Sequence, residues 1–306
     1  MVTVTELRDW LQDASTENDI RLYFVRKKPN GEYNSYSPHI SEDLHDSLFT
    51  IAFNSIHIMD GVEQRVFNPI GSITGTIETY SANNVQNFEQ VIESLNEQIV
   101  SRETLHSEDI LKLNFYCLKI TNSNEESMYL FRRVTKFSKL TKGNGFMGRF
   151  IEGRFEKLEG NLLGMDDSID IIAFRQEMFI LNHVSLERIF SIQEQYAQNA
   201  EQALLRIEQS GKIENFESFR DDCLNDNRIT RTLTKVLDTQ DALDNVFANF
   251  QNVTEVIDLF QLPIELTDGG TRILYQEKSQ LLDVIRLIKD SYYRTLINQR
   301  EGVDDL

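Results

Sequence analysis

Residues 113–134 read LNFYCLKITNSNEESMYLFRRV, and this stretch decides the fold. Two runs of aromatic and branched apolar residues, Leu113–Ile120 and Met128–Val134, flank the polar turn Thr121–Ser127. Apolar runs of this length on either side of a turn are typical of two antiparallel strands. We therefore predict a β-hairpin here.

Further strands are predicted on both sides of this hairpin. Ile20–Val25 is rich in β-branched and aromatic residues, and the following Asn30-Gly31 can supply the positive φ angles of a tight turn. A returning strand is then expected near Tyr33 and Tyr36. Downstream, Ile169–Phe174 and Met178–Leu181 are predicted to form another hairpin.

Helices are predicted where apolar residues recur at helical spacing. In the first part of the chain they are Glu6–Leu11, a helix that follows the N-cap candidate Ser41 through about Phe49, and Asn84–Val100. From Ser185 onward the chain is predicted to be helical. The predicted segments there are 185–209, 214–224, 228–237, 240–250, 252–260 and a final helix, Lys278–Ile297, whose apolar stripe includes Tyr292 and Leu296.

Strands before residue 185 and helices after it define an α+β fold class. We predict a mixed α/β domain with antiparallel hairpins at residues 1–184, which contains a basic loop segment at 130–157. An α-helical domain is predicted at residues 185–300. Residues 301–306 are predicted to form a short, acidic, frayed tail.

The composition is that of a folded protein without a membrane span of its own. Hydrophobic residues make up 40% of the 306 residues, and no apolar run approaches the roughly 18–20 residues that cross a bilayer. Glu6 and Asp9 lie where a signal peptide has an apolar stretch. Two separated cysteines, Cys117 and Cys223, are typical of buried thiols in a reducing compartment. We therefore predict a cytoplasmic protein.

The net charge of −18 repels nucleic acid and anionic lipid at long range. Residues 130–157 oppose this trend, with eight basic and two acidic residues, a net +6, so the rest of the chain carries −24. Basic residues interleaved with phenylalanine can bind phosphates while the rings anchor the segment or stack on bases. The alternative is a solvated loop that neutralises acidic neighbours. The candidate DNA-binding residues are Arg132, Arg133, Lys136, Lys139, Lys142, Arg149, Arg154 and Lys157.

A second basic stripe is predicted on a helix in the second part of the chain. Arg228, Arg231 and Lys235 recur at i, i+3 and i+7, which places them on one helix face. Asp226 or Asn227 is suited to cap the start of this helix. The stripe is the second candidate for DNA contact.

No recognisable catalytic motif is present. Gly143–Gly148 has the spacing of a dinucleotide-binding loop, but the preceding residues are polar where a buried strand is required. The histidines and cysteines lack metal-ligand spacing. We therefore predict a binding protein that is not an enzyme and has no metal and no cofactor.

One enzymatic alternative stays open, a divergent metal-dependent nuclease. Its candidate residues are Asp166, Asp167, Asp170 and Glu177. Carboxylates of this kind can hold the divalent cations that phosphodiester hydrolysis uses. However, restriction-type nucleases have a lysine two residues after the second acid, where this chain has Phe179.

Three apolar patterns are similar to those of the KwaB family. They are Asp167–Phe174 (DSIDIIAF), the following Phe179–Asn182 with Leu186–Phe190, and the closing Leu281–Tyr293 (LLDVIRLIKDSYY). Phe131-Arg132-Arg133 and the basic stretch after it also fit. The likeness covers residues 110 to 300 and, more loosely, the first hundred residues. Core patterns of this kind specify a fold better than a function.

The resemblance implies a soluble subunit of the Kiwa anti-phage defence system. Such a subunit would engage phage DNA, block its replication or late expression, and form a homodimer. It would dock on the multi-spanning membrane protein KwaA and thereby be recruited to the inner membrane. No catalytic residues are carried over. From the charge itself we expect largely sequence-independent DNA binding and no direct lipid binding. Tyr292 and Tyr293 are predicted to contribute to self-association, unless both pack within the chain.

Overall fold

A computed structural model describes residues 2–14, 19–71, 74–96, 109–134, 139–140, 148–151, 154–157, 162–238, 245–267 and 269–304. The chain divides into two compact units: Met1–Phe67 with Ser72–Ile192, and Asn68–Gly71 with Gln193–Leu306. The predicted α+β class is confirmed. The predicted domain boundary after residue 184 stays a prediction, because contacts within one chain do not establish which parts fold independently.

The first unit is built on an eight-stranded sheet. The strand order is β2-β1-β5-β6-β11-β12-β4-β3, and every neighbouring pair is antiparallel except β3 with β4. Two short pairs, β7 with β10 and β8 with β9, lie outside this sheet. The strands are β1 Asp19–Lys27, β2 Tyr33–Tyr36, β3 Glu63–Val66, β4 Thr76–Ser81, β5 Phe115–Thr121, β6 Ser127–Arg133, β7 Lys139–Leu140, β8 Gly148–Ile151, β9 Arg154–Lys157, β10 Leu162–Leu163, β11 Ile171–Phe174 and β12 Glu177–Ile180.

Helices cover both faces of this sheet. On one face α1 (Val4–Ala14) and α2 (Glu42–His57) pack into a core with residues such as Leu118 and Leu130. On the other face lie α3 (Phe88–Ser94) and α4 (His183–Phe190), where the ring of Phe190 lies 5.3 Å from that of Phe131 and 5.8 Å from that of Phe88. Because both faces are covered, the central strands read as continuous apolar runs.

The three predicted hairpins are confirmed. The register pairs Phe24 with Tyr36, Leu118 with Leu130 and Ile172 with Phe179. In the first turn Gly31 has a φ of +89°, which a glycine adopts without steric cost. In the third turn Arg175 and Gln176 both have positive φ, 48° and 63°, as the two-residue turn of a twisted hairpin requires.

The second unit combines helices with short strands. A core cluster of apolar residues joins its helices to a three-stranded sheet of order β13-β15-β14. The helices are α5 Ile192–Ser210, whose first residue belongs to the first unit, α6 Phe216–Leu224, α7 Asn227–Asp238, α8 Phe250–Phe260 and α9 Leu281–Ile288. The strands are β13 Ile213–Glu214, β14 Glu265–Thr267, β15 Arg272–Leu274, β16 Tyr292–Arg294 and β17 Glu301–Val303.

Several predicted helix limits are wrong. The helix predicted at Asn84–Val100 begins only at Phe88, and residues 97–100 lie outside the described residues. The helix after Ser41 continues beyond Phe49 to His57, and Ser41 makes no side-chain cap hydrogen bond. The single helix predicted at 185–209 is interrupted at Ser191, where a left-handed φ of 56° separates α4 from α5. Of the helix predicted at 240–250, residues 240–244 are outside the described part.

The final predicted helix, Lys278–Ile297, is wrong over its second half. The helix α9 ends at Ile288, and Asp290 adopts a left-handed φ of 53°. The backbone N–H of Ser291 then donates to the carbonyl of Arg286 at 2.9 Å, which closes the helix end. The chain continues as strand β16, which pairs with β17 at Glu301–Val303. The predicted frayed tail is therefore a strand up to Val303.

The helix end at Gln261 provides a test of these assignments. This exposed residue follows α8 and has a φ of 52°, a conformation that costs a side chain roughly 1–2 kcal/mol. We expect Gln261→Gly to raise the free energy of unfolding by roughly 0.5–1 kcal/mol, measured by urea denaturation. The matched control is Gln202→Gly in the exposed middle of α5, which should lower it by about 1 kcal/mol. Equal losses in the two variants would contradict the assignment.

Candidate nucleic-acid interface

Arg132 and Arg133 end strand β6, and as adjacent strand residues they are expected to point to opposite faces of the sheet. The register pairs Arg132 with Tyr116 and Arg133 with Phe115. Arg133 is partly exposed, and its backbone N–H donates to Asp170 Oδ2 at 2.8 Å. The arginine pair therefore divides into two different environments.

Arg132 is held by two carboxylates. Its Nη1 donates to Asp170 Oδ1 at 2.7 Å, and its Nε donates to Asp166 Oδ1 at 3.0 Å. Its Nη2 also pairs with Asp166. Burial lowers the pKa of Arg132, but the hydrogen bonds to Asp166 and the charge of Asp170 outweigh that effect, so its pKa lies above the usual value. The positive charge of Arg132 is thus neutralised locally.

Tyr116 lies directly across from this group. Its hydroxyl is buried and has no hydrogen-bond partner. Burial, and after it the charge of Asp166, raises the pKa of Tyr116 well above its usual value. The phenol therefore stays neutral beside the ion pairs. Arg132, Asp166 and Asp170 satisfy one another in a group of ion pairs at the end of β6, beside the start of β11.

The four candidate nuclease residues do not form one site, although Asp166 and Asp170 both bind Arg132. Asp170 is 1% exposed, and both of its carboxylate oxygens accept hydrogen bonds from Arg132 and Arg133. Glu177 lies at the turn end of the β11–β12 hairpin, whereas Asp170 precedes its open end. Four residues of strand separate the two positions, roughly 13 Å. Among the described residues, no group of three or more His, Cys, Asp or Glu side chains is arranged to hold a metal ion.

The rest of the basic segment is not one loop, in contrast to the prediction. Lys139 lies in β7, where the register pairs it with Leu163. Lys136 and Lys142 lie outside the described residues, as do five of the six positions of the Gly143–Gly148 motif. The other three basic positions belong to one hairpin, β8–β9. Its register pairs Arg149 with Glu156, Gly148 with Lys157 and Ile151 with Arg154.

This β8–β9 hairpin was missed in the sequence although a signal for it exists. Residues 149–157 read RFIEGRFEK, in which the apolar residues Phe150-Ile151 and Phe155 lie on either side of Glu152-Gly153. Apolar residues on both sides of a glycine-containing pair are typical of a short hairpin. Arg154, for which the side chain is described, is exposed. The hairpin thus carries three cationic residues on a two-stranded ribbon.

The second basic stripe lies on α7, as predicted. The carboxylate of Asp226 accepts from the backbone N–H groups of Arg228 at 2.9 Å and Ile229 at 3.3 Å, so Asp226 is the cap. Arg228 and Lys235 are exposed, while the guanidinium of Arg231 lies 6.0 Å from the ring centroid of Tyr196. The opposite face of α7 is buried through Ile229, Leu233 and Val236.

The two cysteines fit the predicted role of buried apolar residues. Cys117 and Cys223 are free and fully buried. Burial raises the pKa of the Cys117 thiol far above its usual value, and burial followed by the charge of Asp222 raises that of Cys223. Both thiols therefore stay protonated and are poor nucleophiles. None of the helices that the structure describes has the length and apolar character of a membrane span.

These features define an α+β protein whose described part carries basic residues on the β8–β9 hairpin and on the exposed side of α7. A family model described as Kiwa protein KwaB-like matches residues 110–298, more than half of the chain. The chain therefore belongs to the KwaB-like family, and this membership makes it a component of Kiwa antiviral defence. The match begins just before β5 and ends in the loop between β16 and β17. No curated protein and no solved structure matches the chain.

Substitution of the carboxylates that bind Arg132 tests whether this arginine stabilises the fold. Removing one partner of a buried pair leaves an uncompensated charge, so we expect Asp170→Ala to lower the free energy of unfolding by about 3 kcal/mol. Asp166 is half-exposed, and Asp166→Ala should cost less than about 1 kcal/mol. Asp167→Ala, at an exposed neighbour, is the control and should change little. Thermal and urea denaturation measure the stability of all three variants. An unchanged free energy of unfolding in Asp170→Ala would refute the structural role.

Proposed function

We propose that this chain is the DNA-engaging subunit of a Kiwa system. In this proposal it binds duplex DNA through phosphates, without sequence preference, and blocks phage replication or late expression. It self-associates and docks on KwaA, which recruits it to the inner membrane. The observation that carries the proposal is the β8–β9 hairpin, which concentrates Arg149, Arg154 and Lys157 in a chain with a net charge of −18.

A two-stranded ribbon is a suitable shape for this contact. The major groove of B-DNA admits a two-stranded β-ribbon as well as an α-helix. Cationic side chains on such a ribbon release counterions from the phosphates that they neutralise, and this release drives binding of any sequence. Because the remainder of the chain repels DNA, contact is confined to the surfaces where basic residues outnumber acidic ones.

Arg132 contributes less to this contact than its position in the sequence implies. Its guanidinium is engaged by Asp166 and Asp170, so a phosphate would have to replace a carboxylate that already satisfies it. We therefore assign Arg132 to the fold and keep Arg133, Arg149, Arg154 and Lys157 as the DNA-binding residues in this proposal. Lys136, Lys139 and Lys142 remain candidates. The nuclease alternative gains no support from the separated carboxylates.

A matched pair of charge reversals tests the DNA interface. The hairpin variant is Arg154→Glu with Lys157→Glu, and the control is Arg228→Glu with Lys235→Glu on α7. Both change the net charge from −18 to −22, so long-range repulsion is equal and only the location differs. In a salt titration with fluorescent duplex, the hairpin variant should bind all sequences more weakly and flatten the log–log slope by about 1.8 for two lost phosphates. The control should keep the slope.

Other results of this titration would assign the DNA contact to a different surface. If the α7 variant flattens the slope and the hairpin variant does not, contact belongs to Arg228, Arg231 and Lys235. If neither variant changes affinity, both surfaces are only solvated.

Plasmid incubated with the protein and Mg²⁺ should be retarded and intact. Metal-dependent fragments that disappear in Asp167→Asn would support the nuclease instead.

Membrane docking is tested by fractionation. A chain with a net charge of −18 is repelled by anionic lipid, so we expect it to remain in the supernatant with anionic liposomes. With KwaA co-expressed, it should sediment with the membranes and be released by detergent together with KwaA. Sedimentation with liposomes in the absence of KwaA would contradict the proposal.

A further inference from the structure

The hairpin β16–β17 exposes the two most solvent-accessible large apolar side chains in the described part of the chain. Leu296 and Ile297, in the loop of this hairpin, are each 92% exposed. Polar contacts of other residues hold the loop: Thr295 N–H donates to the Arg300 carbonyl, and Arg300 N–H donates to Thr295 Oγ1, both at 2.9 Å. The two apolar side chains therefore contribute almost nothing to the fold of their own chain.

Side-chain contacts hold the two strands of the β16–β17 hairpin that carries this apolar tip. The ring of Tyr293 lies against Gly302, where a Cβ atom would be only 2.5 Å from Tyr293 Cζ. Arg294 Nη2 donates to Glu301 Oε1 across the strands at 2.8 Å. At the base, the hydroxyl of Tyr292 donates to Asp283 at 3.0 Å. A loop held in this way presents Leu296 and Ile297 in one defined position.

The same unit contains a cavity beside the base of this hairpin. Its volume is about 300 Å³. Val253, Val256 and Leu287 supply apolar surface, and Asp290 supplies a carboxylate. The remaining lining residues are Asn245, Val246, Asn249, Asn252 and Tyr292.

We propose that the apolar tip Leu296–Ile297 of one copy inserts into this cavity of a second copy, and that the second copy returns the contact. The tip cannot readily fill the cavity of its own chain, because Tyr292 lines that cavity while Leu296 lies four residues further along the hairpin, roughly 13 Å for an extended strand. A two-fold axis satisfies both tips and both cavities at once, since each copy contributes the same two surfaces.

Charge favours a second copy as the occupant. Arg300 lies beside the tip, whereas Arg294 is already paired with Glu301, and Asp290 lines the cavity, so a cation of the tip can meet a carboxylate of the cavity. Two chains of −18 repel each other at long range, so association needs a local contact with apolar surface at its centre. The inference deepens the self-association in the proposed function and replaces its predicted helical surface with this hairpin.

A tip variant and a matched control test the contact. Leu296→Ser with Ile297→Ser removes the apolar tip, whereas Leu205→Ser with Leu259→Ser removes two other exposed leucines of the second unit, 53% and 41% exposed. Sedimentation velocity should give a dimer for the wild type and the control. Since both tips are lost together, the dissociation constant of the tip variant should rise more than a hundredfold. Equal melting temperatures establish that the variants are folded.

Complementation between two variants identifies the cavity. Asn252→Trp, at an exposed position on α8, fills the cavity and should also produce monomers. A mixture of this variant with the tip variant can form a heterodimer in which one intact tip meets one intact cavity. Fluorescence energy transfer between separately labelled variants should therefore appear in the mixture and in neither variant alone.

Three results would overturn the inference: a monomeric wild type at micromolar concentration, an undiminished dimer in the tip variant, or no transfer in the mixture. Anionic vesicles that bind the wild type and release the tip variant would assign the tip to a bilayer instead. DNA titrations on the same samples separate this inference from the proposed function. If the tip variant still forms a dimer and DNA binding depends on β8–β9, only the proposed tip contact is refuted.

Discussion

Strands β5, β6 and β11 are covered by helices on both faces, so a charged side chain buried at this sheet needs an oppositely charged or hydrogen-bonding partner. A buried carboxylate without a partner costs several kcal/mol, and a lone guanidinium costs as much. The chain meets this constraint at one end of β6, where Asp170 binds both the Arg132 side chain and the Arg133 backbone. An ion pair therefore links the β5–β6 and β11–β12 hairpins there, in addition to the backbone hydrogen bonds between β6 and β11.

The same constraint explains why two residues that look functional in the sequence, Arg132 and Asp170, are engaged with each other. Asp170 resembles a metal ligand and Arg132 a phosphate ligand, yet each satisfies the other. The proposed DNA contact is therefore assigned to residues outside the doubly covered sheet. In the described part of the chain the proposed contacts lie on the β8–β9 hairpin, where Arg154 is exposed, and on the exposed side of α7.

The hairpins could be predicted from the sequence because their strands combine long apolar runs with polar turns. The second basic stripe was predictable for a similar reason, since Arg228, Arg231 and Lys235 keep helical spacing after the capping Asp226. The Arg132–Asp166 pair could not be predicted, because 34 residues separate partners that only the strand order brings together. The β8–β9 hairpin was missed because its strands have only four residues each, too few for periodicity to distinguish them from a loop.

Two of the wrong helix limits share a physical cause. Ser191 and Asp290 each adopt a left-handed φ that sequence rules assign mainly to glycine and asparagine. At Asp290 the consequence reaches the surface of the molecule. Helical periodicity placed Leu296 on a buried stripe with Leu281 and Ile285, but the left-handed residue ends the helix and turns the chain into β16–β17. A side chain that the pattern predicts as core is thereby exposed at a hairpin tip, where the proposed second copy buries it.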